Sequence, residues 1–186
     1  MEVEVAAWGW LGAAWAEAYP ADLPEAWRLD YLANEYEAAV VPCRDWQSCD
    51  REMLEGWLEQ VPAEFHLYWE VTSDIDPEPL LSLYRSCAGS LPPPAGWLLS
   101  YSGRDEVVQT ALRRFAPVAL CTEGGCDGEA FTVLPAAETQ DLRQLRRQLD
   151  ELAAQGCKRV LLPVRPSAEA AAQLQQLHTF CQLYRG

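Results

Sequence analysis

Glu70 is the titratable side chain whose setting in the sequence most invites chemistry. It stands in Phe65–Val71, among Phe65, Leu67, Trp69 and Val71. A carboxylate placed there is raised in pKa by burial unless a cation such as Arg44 or Arg165 pairs with it, and a raised carboxyl suits general acid–base work. Asp45 would be its partner acid. This set fits a small, carbohydrate-like substrate. It fits a structural ion pair at least as well. A second candidate is a cysteine quartet, Cys43 with Cys49 and Cys121 with Cys126, separated by five and four residues. Four thiolates can hold zinc and two can form a redox pair, although metal-binding pairs are usually closer in sequence. A third is aromatic. Trp8, Trp10, Trp46 and Trp69 could line a groove, with Arg44 at its edge, for a peptide, a sugar face or a partner's side chain. His66 and His178 have no second ligand at metal spacing. Gly124-Gly125 lacks the lysine of a phosphate loop and the three-glycine dinucleotide pattern.

These residues are positioned by alternating strand-like and helix-like segments. Glu2–Trp8 alternates Val and Glu before an apolar end and reads as a first strand. Pro24 opens an amphipathic run to Tyr36, since proline suits a first helical turn. Glu37–Pro42 is strand-like, Ser48 is placed to cap a helix over Arg51–Gln60, and Phe65–Val71 is the third strand. A short helix falls within Asp76–Ser90 before the Pro92-Pro93-Pro94 turn. Gly96–Tyr101, Val118–Thr122, Ala130–Leu134 and Lys158–Val164 complete seven strands, with a Gly-rich loop after Thr122. Helices are expected over Asp105–Phe115, over Thr139–Gln155 with Leu142, Leu145, Leu149 and Leu152 on one face, and from the Ser167 cap to about Tyr184. Strands joined by helices imply a mainly parallel sheet.

The 186 residues suit one α/β domain, 1–186, large enough to need no disulfide or metal staple. The net charge of −14, from 28 acidic and 14 basic residues, repels phosphate backbones and argues against nucleic acid. No stretch is long and apolar enough to read as a membrane span, and the first residues carry no basic leader, so a cytoplasmic location is expected. Seven cysteines, an odd number, are then mostly reduced thiols.

Gly9-Trp10, Trp15, Tyr19-Pro20, the stretch Leu29-Asp30-Tyr31-Leu32-Ala33-Asn34-Glu35-Tyr36 and the strand Ala38-Ala39-Val40-Val41 resemble the opening of the YecE-like barrels, domain-of-unknown-function family seventy-two. Trp57, Pro62 and Phe65, and the ending through Pro166-Ser167, are similar to later parts of that family. The resemblance implies a TIM-like (β/α) barrel. Because such barrels need about 200–250 residues, it also implies a shortened one: about seven mainly parallel strands, one strand–helix unit missing, and either closure by seven strands or an open seam. An open seam would invite a protein partner or a second copy of the chain.

In parallel barrels functional groups gather at the C-terminal ends of the strands. The family's polar positions there fall on Val40, Pro42, Ser100, Ser102, Gly103, Val133, Pro135, Val164 and Arg165, and its Lys position on Glu70. Most of these side chains cannot transfer protons or bind metals. The resemblance therefore implies a degenerate, pseudoenzyme-like barrel with no cofactor, acting as a binding or scaffold protein through the aromatic groove. The enzyme using Glu70 with Asp45 or Arg165, and the cysteine-based metal or redox site, stand as alternatives.

Overall fold

A computed structural model describes residues 1–72, 76–86, 95–99, 106–114, 116, 118–122, 125–127, 132–134 and 141–185. Strand β1 (Glu2–Trp8) leads through a 3-10 turn (Ala13–Ala18) to helix α1 (Arg28–Glu35) and strand β2 (Ala38–Val41). A short helix α2 (Cys43–Trp46) and α3 (Arg51–Glu59) precede β3 (His66–Val71). Then come α4 (Glu78–Ser86), β4 (Gly96–Leu99), α5 (Glu106–Arg113), β5 (Val118–Thr122), β6 (Gly125–Asp127), β7 (Thr132–Val133), α6 (Leu142–Ala154), β8 (Arg159–Val164) and α7 (Ala170–Arg185).

The strands form one sheet in the order β6-β5-β4-β3-β2-β1-β8-β7. Every neighbouring pair is parallel except β5 with β6. The sheet curls: both β5 and β6 have Cα atoms within 8 Å of β7. The expected α/β class and parallel sheet are therefore present in a curled, barrel-like sheet. The strand count differs from seven because the Gly-rich segment after Thr122, read as a loop, turns back on β5 as a hairpin. Thr122 lies opposite Gly125 and Cys121 opposite Cys126. The triple-proline turn lies outside the described residues.

The two faces of the strands carry different layers. Val3, Val5, Ala7, Val41, Leu67, Trp69, Val71, Val160, Leu162 and Val164 pack with Leu29, Leu54, Trp57, Leu81, Leu145, Leu149, Leu174 and Leu177 from the helices. Ala6, Trp8, Ala38, Val40, Tyr68, Leu98, Val133 and Leu161 form a second cluster drawn from strands alone, which places them inside the curl. The period-two pattern of a strand makes this division automatic. Small Ala6 and Ala38 leave the interior room for Tyr68 and Trp8, which flank Val40 in register.

Helix starts show where local chemistry decides. Asp141 caps α6, its carboxylate accepting from the N–H groups of Arg143 (2.9 Å) and Gln144 (3.3 Å). Gly156, at φ +85°, ends the turn that follows. The cap of α3 is Asp50, which accepts from Met53 N–H at 2.9 Å, and not Ser48. A carboxylate one residue before the first helical residue meets the exposed amides directly, whereas Ser48 is two positions too early. The run after Pro24 opens as a 3-10 turn, Glu25–Trp27, before α1 begins.

Candidate functional site

The C-terminal ends of β8, β1, β2 and β3 lie side by side in the sheet, and the predicted acid–base residues gather there. After β1 the chain turns at Gly9 with φ +78°. Its N–H donates to Val40 O at 2.8 Å, and a Cβ there would lie 3.2 Å from Pro42 Cγ. The left-handed backbone favours glycine, and a Cβ would also press on the Pro42 ring. Pro42 then leads into α2. Cys43 N–H donates to Glu70 Oε2 at 3.2 Å, and Trp46 Nε1 donates to Glu70 O at 2.7 Å. Glu70 thus ties α2 to the end of β3 with both its side chain and its main chain.

Asp45 lies beside this clamp, with Arg44 Nε at 3.3 Å from its Oδ1. Burial pushes the Asp45 carboxyl up; Arg44 pulls it back, and the Glu70 charge pushes it up again, leaving it above the ordinary carboxylate range. The Cys43 thiol is raised by burial and further by the Glu70 charge. On the other flank Arg165 leaves the end of β8 and lays its guanidinium over the Trp8 ring, 3.7 Å from the centroid. Two groups therefore lie at this end of the sheet: Glu70 with Cys43, Asp45 and Arg44, and Arg165 with Trp8.

The aromatic groove is not built. Trp8 is 4% exposed, and Trp10, Trp46 and Trp69 are 3%, 3% and 0% exposed. Trp8 belongs to the interior cluster; the other three belong to the layer between sheet and helices. Trp10 packs edge-on against Trp57 at 5.3 Å, and Trp57 lies 6.3 Å from Trp69. Trp15 Nε1 donates to Trp8 O at 3.3 Å, and Tyr19 OH to Trp10 O at 3.2 Å. The reason is packing: each indole brings about 150–250 Å² of surface, which the helices cover from outside for Trp10, Trp46 and Trp69 and the strands enclose for Trp8. Arg44 is largely exposed and rests on Asp45, not on an indole groove.

The cysteines are divided. Cys43 and Cys49 follow β2, whereas Cys121 and Cys126 are backbone register partners on β5 and β6, beyond β3 and β4 in the strand order. The Cys49 thiol donates to Asp50 O at 3.3 Å and is pushed up to about 11 by burial and the Asp50 charge. Raised thiols are poor thiolates, the form that metal binding and redox attack require. Among the described residues no three His, Cys, Asp or Glu side chains are placed to hold a metal ion. Ser100, Ser102, Gly103 and Pro135 lie outside the described residues. An open groove lined by Leu142, Gln176, Phe180 and Leu183 runs between α6 and α7.

The polar cluster missed in the sequence lies at the opposite end of the sheet. Glu4, 1% exposed, accepts from His66 Nδ1 and from Tyr68 OH, each at 2.6 Å. Arg159 Nε lies 3.8 Å from Glu4 Oε1 and 3.2 Å from Glu2 Oε2. Burial alone would raise the Glu4 carboxyl. The bonds from His66 and Tyr68 and the charges of His66 and Arg159 outweigh it, and the carboxyl is held below its ordinary range. The signal was the Val–Glu alternation of Glu2–Val5. It marks a two-faced strand without saying that both faces are buried. His178, by contrast, packs edge-on against Tyr36 at 5.2 Å on α7.

No family model matches the chain, and no curated protein matches it. Solved structures do. A DUF72 family protein from Thermotoga maritima aligns over 96% of this chain and 100% of its own, with a TM-score of 0.60 and 12% identity. TrpF from Jonesia denitrificans aligns over 100% of this chain and 97% of its own, with a TM-score of 0.48 and 15% identity. The chain shares the fold of the DUF72 protein, in agreement with the resemblance carried by its opening residues. Among the described residues no helix is long and apolar enough to cross a membrane.

Proposed function

We propose that the chain is a non-catalytic binding or scaffold protein, a degenerate YecE-like barrel forming one domain over 1–186. The observation that carries this reading is the clamp on Glu70. Its carboxylate, the titratable group most suited to catalysis by sequence, is engaged with the Cys43 amide and its carbonyl with the Trp46 indole. A carboxylate used to seat a helix is poorly placed to shuttle protons. The apolar filling of the curl supports the same reading. The binding surface is the rim where Arg165 lies over Trp8 and Asp45 meets Arg44, in place of the indole groove. On this proposal the barrel lacks one strand–helix unit relative to an eight-stranded barrel, its seam takes a protein partner or a second copy, and the protein works in the cytoplasm without nucleic acid.

One observation favours the enzyme reading: burial and Glu70 together raise Asp45, the trait of a general acid. A thermal-shift screen of small sugars, amino acids and organic acids separates the two, with each compound recovered and weighed by mass spectrometry. The binding reading expects a stabilising compound that is recovered unchanged and whose effect is lost in Arg165→Ala. Conversion of the compound by the wild type, lost in Asp45→Asn, overturns it.

A further inference from the structure

The buried cluster at the N-terminal end of the sheet joins three strands through one carboxylate. Glu4 comes from β1, His66 and Tyr68 from β3, and Arg159 from β8. β2 lies between β1 and β3 and sets Ala38 opposite His66; the small side chain lets the imidazole and phenol reach across it to Glu4. An ionised carboxylate can only accept, so Nδ1 of His66 carries the hydrogen that points at Glu4 Oε1. The remaining proton of an imidazolium, on Nε2, is then the one that comes and goes.

We propose that Glu4, His66 and Arg159 form a proton-operated latch across the N-terminal end of the curled sheet, closed while the imidazole is charged and loosened when it loses its proton. The groups facing His66 are Glu4 and Glu2 from β1, Tyr68 from its own strand and Arg159 from β8. From the β2 side Glu37 offers its carbonyl, which accepts from the backbone N–H of His66 at 2.9 Å; Lys158, before β8, meets this corner through its carbonyl, which accepts from the backbone N–H of Glu2 at 2.9 Å. His66 is partly exposed, so its proton exchanges with solvent while the carboxylate it grips does not. With the proton on, a buried charge has a cation in direct contact. With it off, Glu4 keeps a neutral N–H, the phenol and the more distant guanidinium.

The sign follows from the two shifts. The bond from Glu4 raises His66 above its ordinary 6.5, against burial, which lowers it. Stabilisation from His66 is therefore complete below 6.5 and is lost as pH rises through the folded value. Glu4 is lowered from 4.5, so its part is complete above 4.5 and is lost as pH falls through its folded value. The latch is fully closed between these limits.

The chain has two histidines, so an NMR titration of the imidazole resonances in the wild-type protein resolves His66 from His178. The latch requires a His66 midpoint above 6.5, and in Glu4→Gln a drop on the order of tenfold in its proton affinity. It also requires that the urea midpoint of the wild type fall as pH passes through the His66 midpoint, and that this fall be absent in His66→Asn. A wild-type His66 midpoint at or below 6.5, or the same pH slope in His66→Asn, overturns the latch. If either variant fails to fold, the wild-type titration decides alone.

Discussion

The two ends of the sheet each bury a glutamate, and they use it differently. At the C-terminal end Glu70 accepts from a backbone amide and seats the short helix α2. At the N-terminal end Glu4 accepts from an imidazole and a phenol and ties strands together. A carboxylate held by backbone has a partner that no pH change removes. One held by histidine has a partner that titrates. The contrast teaches that burial alone does not mark a catalytic acid, because the identity of the donor decides what the carboxylate can do.

Substitutions sharpen this contrast. Glu4→Gln should cost the most, about 2–3 kcal/mol of unfolding free energy, because it replaces two short bonds to a buried charge by neutral ones and leaves an amide N–H facing a donor. Urea denaturation at pH 6 measures it. Glu70→Gln should cost less, about 1–2 kcal/mol, since a Gln oxygen can still accept from Cys43 N–H and the indole bond goes to the main chain. If the order of these two were reversed, the C-terminal end would be the more tightly built, and the comparison would fail. Arg165→Ala should cost about 0.5–1 kcal/mol, the value of an exposed cation over an aromatic ring. It should also open the Trp8 ring to solvent, read as increased quenching of tryptophan fluorescence by iodide.

The pH dependence gives the smallest signal and the most specific one. Between pH 6 and pH 8.5 the wild type should lose stability through His66, while Glu70→Gln should lose it in parallel, displaced by a constant amount. A Glu70→Gln curve that converges on the wild type would show the two ends to be coupled.

Much of the frame was legible in the sequence because it rests on period and punctuation. The Val–Glu alternation gave β1, the leucine spacing gave α6, and Gly156 gave its end. The class of sheet followed from strands joined by helices. β6 was not legible, since Gly125-Cys126-Asp127 has neither the branched residues nor the alternation of a strand and forms only by pairing with β5. Asp45, Glu70 and Arg165 could be placed at the same end of the sheet because β2, β3 and β8 run parallel. The tryptophans misled for a physical reason: indoles suit a buried layer and an open groove equally well in composition, and only the helices packed over them distinguish the two. Glu4 escaped notice because a charged residue alternating with valine at the start of a chain reads as solvent-facing. Here β8 and β3 close over that face as well.

On the function proposed above, Glu70 holds structure and does no chemistry. Turnover of a panel of aryl glycosides and small esters, measured beside the melting temperature for the wild type and Glu70→Gln, tests it most directly. The expected result is a lower melting temperature in Glu70→Gln and no turnover in the wild type that depends on Glu70. Turnover by the wild type that vanishes in a Glu70→Gln protein of unchanged melting temperature would contradict it.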